Sequence, residues 1–144
     1  MQWRKVVVIL LGLALMASFG LGAVATSWQQ RPSTADLLAG YDQQAISYWV
    51  SGSSASPAVA RALKPSRDGF VTKGVTIEQA DSRTIAVSET EDDGQLEVRA
   101  TVNTGWVLRQ DSSGQRESST STDAHRLVFD LDSGELVSDE FLQE

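Results

Sequence analysis

The stretch LEVRATVNTGWVL, residues 96–108, alternates in two sets along its length. Leu96, Val98, Ala100, Val102, Trp106 and Leu108 share one parity, and Glu97, Arg99, Thr101, Asn103 and Arg109 share the other. Successive strand side chains point to opposite faces, so the pattern predicts one long strand with a buried face and a wet face. At about 3.4 Å per residue it spans about 40 Å, twice an ordinary strand. A strand of that length is expected to bend, and Gly105 marks the expected bend.

On either side the signals are also β. Val75 and Ile77 alternate with Thr76 and Glu78. Asp81-Ser82 then reads as a turn, and Ile85 and Val87 alternate with Thr84, Ala86 and Ser88. Glu91-Asp92-Asp93-Gly94 is a turn ahead of the long strand, and Asp111-Ser112-Ser113-Gly114 is one after it. Residues 115–122 contain no large apolar side chain and read as either a polar half-strand or a loop. Leu127, Phe129 and Leu131 resume the alternation, Asp132-Ser133-Gly134 turns, and Leu136-Val137 opens a last strand ending near Phe141-Leu142. Links this short make sequential strands antiparallel neighbours.

Helical signals come before the strands. Ser33-Thr34-Ala35-Asp36 is a capping box, and Leu37, Leu38, Tyr41, Ala45, Tyr48 and Trp49 follow at helical spacing. Gly52-Ser53-Ser54 ends that helix. Ser56-Pro57 starts a second, with Ala58, Val59, Ala62 and Leu63 as its apolar side. Pro65 is expected to stop it, with residues 66–69 turning and Phe70-Val71 leading into the sheet. The predicted class is α+β: an N-terminal hydrophobic segment, then two helices packed on a bent antiparallel sheet of four to five strands.

Residues 6–25 carry no charge and follow Arg4-Lys5. Twenty residues at about 1.5 Å each match the thickness of a bilayer core, about 30 Å. The same run has a positive start, an apolar middle and an Ala23-Val24-Ala25 end, which is the layout of a cleaved signal peptide. Both readings, signal peptide or membrane anchor, export the domain over residues 33–144, with 26–32 as linker. The first leaves it secreted after cleavage near Ala25, and the second leaves it single-pass with Trp28 as an interfacial residue.

The chain has 144 residues and a formal net charge of −7; after residue 25 there are ten basic and nineteen acidic residues, a balance of −9. That balance argues against nucleic acid as a partner and against electrostatic docking on anionic lipid. No cysteine is present, which removes disulfides, thiolate nucleophiles and cysteine metal sites.

Helices followed by a bent meander resemble the nuclear transport factor two-like cone (the cystatin-like class). Three short motifs carry a narrower resemblance: Gly74-Val75-Thr76-Ile77, Ile85-Ala86-Val87-Ser88-Glu89 and His125-Arg126-Leu127-Val128-Phe129. They look like the small domain that precedes amidase-like domains in actinobacterial exported proteins. The resemblance covers about residues 33–144, and the amidase portion has no counterpart there. Single-pass assembly subunits of secretion and conjugation machines are similar in layout. What the resemblance implies is a cone-shaped exported domain with a pocket on its concave side.

No catalytic constellation is predicted. The serines lie in loops without a Gly-x-Ser-x-Gly setting, and one histidine with no cysteine argues against zinc. Asp130-Leu131-Asp132-Ser133-Gly134-Glu135 has its glycine fifth rather than sixth, so it reads as a hairpin turn and not a calcium loop. Asp92-Asp93 and Asp139-Glu140 read as solvated turn and tail residues. His125 shares parity with Leu127 and Phe129 and is expected on the concave side. Tyr41, Tyr48, Trp49, Trp106, His125 and Phe129 are therefore the candidate pocket residues, with the aromatics reading as core unless the cone stays open. No cofactor and no metal are expected. The expected function is non-enzymatic binding of a protein partner at the cell envelope. The alternative is a small-ligand-binding or isomerase-like pocket on the same fold.

Overall fold

The computed structural model describes residues 31–143, and the signal or anchor reading of residues 6–25 lies outside them. From Ser33 onward the described residues form one compact unit. Two helices, α1 (Thr34–Ser51) and α2 (Pro57–Thr72), precede four strands, β1 (Val75–Asp92), β2 (Gln95–Gln110), β3 (Arg116–Asp130) and β4 (Leu136–Phe141). The strands form one sheet in sequence order, each antiparallel to the next. The architecture is α+β, two helices on a four-stranded antiparallel sheet. Among the described residues no helix is long and apolar enough to cross a membrane.

The capping box at the start of α1 is formed: the Ser33 hydroxyl accepts from the Asp36 N–H, and the Asp36 carboxylate accepts from the Ser33 N–H. Leu37, Leu38, Tyr41, Ala45, Tyr48 and Trp49 are its buried stripe. The second helix is longer than the sequence suggests. It runs through Pro65 to Thr72, and Phe70 lies in it rather than in the sheet. An interior proline costs about 3 kcal/mol of helix propensity. Here that cost is opposed by burial of Ala58, Val59 and Leu63 and by the packing of the Phe70 ring against Trp49 and Trp106.

β2 is the long strand expected, with every core-parity residue from Leu96 to Leu108 buried, the polar Thr104 and the large Trp106 included. No bulge falls at Gly105: the pairings of β2 with β1 and β3 run past it without a shift. Gly105 instead makes room for Asp81, its partner on β1, whose carboxylate a Cβ would strike. The irregularities are on β1, between Ile77 and Gln79 and between Ala86 and Ser88.

Those two bulges correct the reading of β1. It is one continuous strand of 18 residues, and Asp81-Ser82 pairs within it instead of turning. An extra residue in one strand flips all later side chains to the other face. After the first bulge the inward set becomes Ala80, Ser82, Thr84 and Ala86, and Ile85 and Val87 point outward at 47% and 72% exposure. The inward residues are small or hydroxylated, and α1 reaches them with Asp42. Its carboxylate accepts from the Ser82 hydroxyl at 2.8 Å, the Thr84 hydroxyl at 2.6 Å and the Thr84 N–H at 3.1 Å.

The hairpins explain the order of the meander. Asp93 and Gly94 join β1 to β2 with φ of 48° and 75°, the two positive values that a two-residue type I′ link needs. The other two links share one geometry, in which Gln110 N–H bonds Gln115 C=O and Asp130 N–H bonds Glu135 C=O. The polar run at 115–122 is strand from Arg116 onward, paired along β2.

The parity switch is directly testable. Ile77→Ala is expected to cost about 2–5 kcal/mol in urea denaturation, as for a buried isoleucine. Ile85→Ala is expected to stay within about 0.5 kcal/mol of wild type, as for a surface site. Equal costs would place Ile85 on the inner face and refute the switch.

Candidate functional site

Between the helices and the inner face of the sheet lies a cavity of about 270 Å³. Each element lines it with one stripe. α1 gives Tyr41, Ala45 and Trp49 at four-residue spacing, and α2 gives Leu63, Ser66, Gly69, Phe70 and Lys73. β2 gives Val102, Thr104 and Trp106, β3 gives Ser121, Asp123 and His125, and β4 gives Phe141.

The cavity follows from a change of character along β3. Its inward parity is apolar at Phe129 and Leu127, then becomes His125, Asp123 and Ser121. In register, Asp123 faces Val102 and Ser121 faces Thr104. A polar side chain sealed into an apolar core without a partner costs about 1–3 kcal/mol. These side chains are accommodated because this end of the inner face is not filled.

At one side of the cavity three buried polar groups are joined. His125 Nδ1 lies 2.6 Å from Asp139 Oδ1, and the Tyr41 hydroxyl donates to Asp139 Oδ2 at 2.9 Å. The His125 and Asp139 side chains are 2% and 0% exposed. Phe141, opposite His125 in the β3–β4 register, lays its ring 4.1 Å from the imidazole. With Asp139 ionised, both its oxygens accept, Nδ1 carries a proton, and Nε2 is the imidazole nitrogen left for a further contact. Burial pushes the Tyr41 phenol far above its ordinary value of 10.0, helped by the charge and hydrogen bond of Asp139 and by the charges of Asp42 and Asp123. Tyr41 is thus a neutral donor across the physiological range.

The opposite side is aromatic. Trp49 and Trp106 meet edge to face with centroids 5.1 Å apart, and Phe70 lies 5.5 Å from Trp106 and 6.2 Å from Trp49. The Trp106 indole N–H is buried and has no hydrogen-bond partner among the described residues. Buried donors are nearly always paired, so an orphan on a residue that lines the cavity is a candidate contact for a bound acceptor.

Of the six residues expected at a pocket, Tyr41, Trp49, Trp106 and His125 line the cavity together. Tyr48 does not: it is buried with its ring 6.0 Å from the Arg67 guanidinium carbon. Phe129 lies further down the same face of β3, in the packed core. Asp139, read from sequence as a solvated tail residue, is instead the hub of the site. Its signal was present in its shared parity with Phe141, two residues on. Asp123 is the other residue that the sequence reading passed over.

The Asp130 loop is the expected hairpin. Its carboxylate accepts from the Asp132 and Ser133 N–H groups at 2.9 Å each, and these bonds hold the Asp130 carboxyl below its ordinary range. Among the described residues no group of three or more His, Cys, Asp or Glu side chains is arranged to hold a metal.

No family model matches this chain, and no curated protein matches it in sequence. Among solved structures it is similar to the intermembrane space region of chloroplast protein ARC6, at 9% identity and a TM-score of 0.48, covering 75% of this chain and 92% of that one. A likeness at that level transfers nothing to this chain.

Two measurements test the site. Asp139→Ala strands a buried imidazole and a buried hydroxyl, so about 3 kcal/mol or more of stability is expected to go. Glu140→Ala, next in sequence but 57% exposed and paired with Arg126, is expected to cost about 0–1 kcal/mol. Comparable losses would mean Asp139 is not the hub. The second is pH. The Tyr41 value is raised in the fold, so its contribution is intact below the unfolded value of 10.0 and is lost as pH rises above it. The expected slope is about 1.4 kcal/mol per pH unit above that point. Tyr41→Phe is expected to remove this slope in denaturation series at increasing alkalinity.

Proposed function

We propose that this domain is a small-ligand-binding module of the cell envelope, exported through residues 6–25 and built as a cone of the nuclear transport factor two-like kind. The observation that carries the reading is the cavity: an aromatic wall on one side, a polar wall on the other, and on Trp106 a buried indole N–H without a partner among the described residues. This favours the pocket over the protein-partner reading of the sequence. Sites for small molecules are concave and largely apolar, with a few fixed polar groups that set orientation. The Tyr41–Asp139–His125 set supplies such groups, each held by a bond to the next. The role proposed is binding, without a chemical step.

Fragment-sized aromatic molecules are expected to bind saturably in ligand-observed NMR. Ala45→Leu directs extra side-chain volume into the cavity and is expected to fold and to lose that binding. Equal binding by wild type and Ala45→Leu would remove the site from this cavity. Export has its own check: the native protein is expected outside the cytoplasm, beginning at Thr26 if the segment is cleaved or at Met1 if it is retained. Recovery in the cytoplasm would contradict export.

A further inference from the structure

We propose that the cavity takes a small organic cation, an ammonium group on a compact apolar body, with Asp123 as its counter-ion and the Trp49 and Trp106 rings as its walls. This rests on the pocket reading above and adds the class of ligand.

The charge balance of the cavity points that way. Asp123 lines it, is only partly buried, and accepts one hydrogen bond, from the Ser121 hydroxyl at 2.6 Å. No cation pairs with it among the described residues. Other carboxylates nearby are engaged: Asp42 by Ser82 and Thr84, and Asp139 by His125 and Tyr41. His125 and Asp139 are paired with each other, so neither offers Asp123 a counter-charge. After burial, the charges of Asp139, Asp42 and Asp123 add to the upward push on the Tyr41 phenol, so three carboxylates lie on this side of the fold.

The opposite wall suits a cation as well. Tryptophan presents the most electron-rich aromatic face, and a cation over it gains more when desolvated. Trp49 and Trp106 meet edge to face there, with Phe70 tilted beside Trp106. The volume of about 270 Å³ is below the usual range for drug-sized ligands, so the apolar body is compact. One feature favours the opposite sign. Lys73 lies at the rim, exposed and without an ion pair among the described residues, and with the Trp106 N–H it would suit a carboxylate. The carboxylate is therefore the class to test against.

Benzylamine, benzyl alcohol and benzoate share one ring and differ in charge at neutral pH. In titrations followed by NMR or calorimetry, benzylamine is expected to bind at least tenfold tighter than benzyl alcohol, with benzoate weakest. Asp123→Asn is expected to remove that preference, so that benzylamine and benzyl alcohol bind alike. If benzylamine binds no tighter than benzyl alcohol, or benzoate binds tightest, the cation assignment fails and the pocket reading stands. If none of the three binds, both fail. Should Asp123→Asn not fold, the wild-type ranking decides, together with a benzylamine affinity that falls as salt is added while that of benzyl alcohol does not.

Discussion

A carboxylate with no solvent contact has to be surrounded by donors, and Asp139 obtains them from two other elements. Tyr41 comes from α1 and His125 from β3, while Asp139 itself is on β4. The three positions are far apart in sequence, so their bonds tie the first helix to the last two strands. Removing a buried charge's partners is among the costlier changes a fold can suffer. The arrangement therefore restricts how α1 lies across the sheet at this end. On the opposite side of the sheet Asp42, one residue after Tyr41, does a similar job on β1 by accepting from Ser82 and Thr84. One turn of α1 thus carries two attachments, one to each side of the meander, and the cavity lies beside the buried one.

Much of this fold can be read from the chain. The parity of β2, the capping box at Ser33 and the three hairpin links are local features. Each is set by residues adjacent in sequence, so each survives in the structure. The inward placement of His125 was legible on the same basis, from its parity with Leu127 and Phe129. Three features were not. The bulges at β1 leave no mark in the hydrophobic pattern, since Ile85 and Val87 keep the alternation of Val75 and Ile77 while lying on the other face. The passage of α2 through Pro65 depends on Phe70 finding Trp49 and Trp106, which is tertiary packing. The role of Asp139 depends on two partners distant in sequence, so composition at the chain's end suggested a wet tail.

The inner face of β1 shows how the fold handles its lack of large apolar residues there. Ala80, Ser82, Thr84 and Ala86 offer little area for the hydrophobic effect to act on. Contact with α1 is made by charge-assisted hydrogen bonds, which need close approach and short side chains. The apolar core is concentrated on β2 and on the Leu127 and Phe129 end of β3. Gly105 fits the same economy of space, since its missing side chain leaves the Asp81 carboxylate room beside the strand.

The indole pair has a spectroscopic consequence. Trp49 and Trp106 are the two tryptophans within the described residues, and both border the cavity with their rings 5.1 Å apart. Excitation on one ring passes readily to the other at that separation, so the pair emits as a unit. Whatever enters the cavity alters the surroundings of the whole emitting unit rather than half of it. On the proposed binding reading, the domain carries an internal fluorophore beside its ligand and needs no attached label to report occupancy.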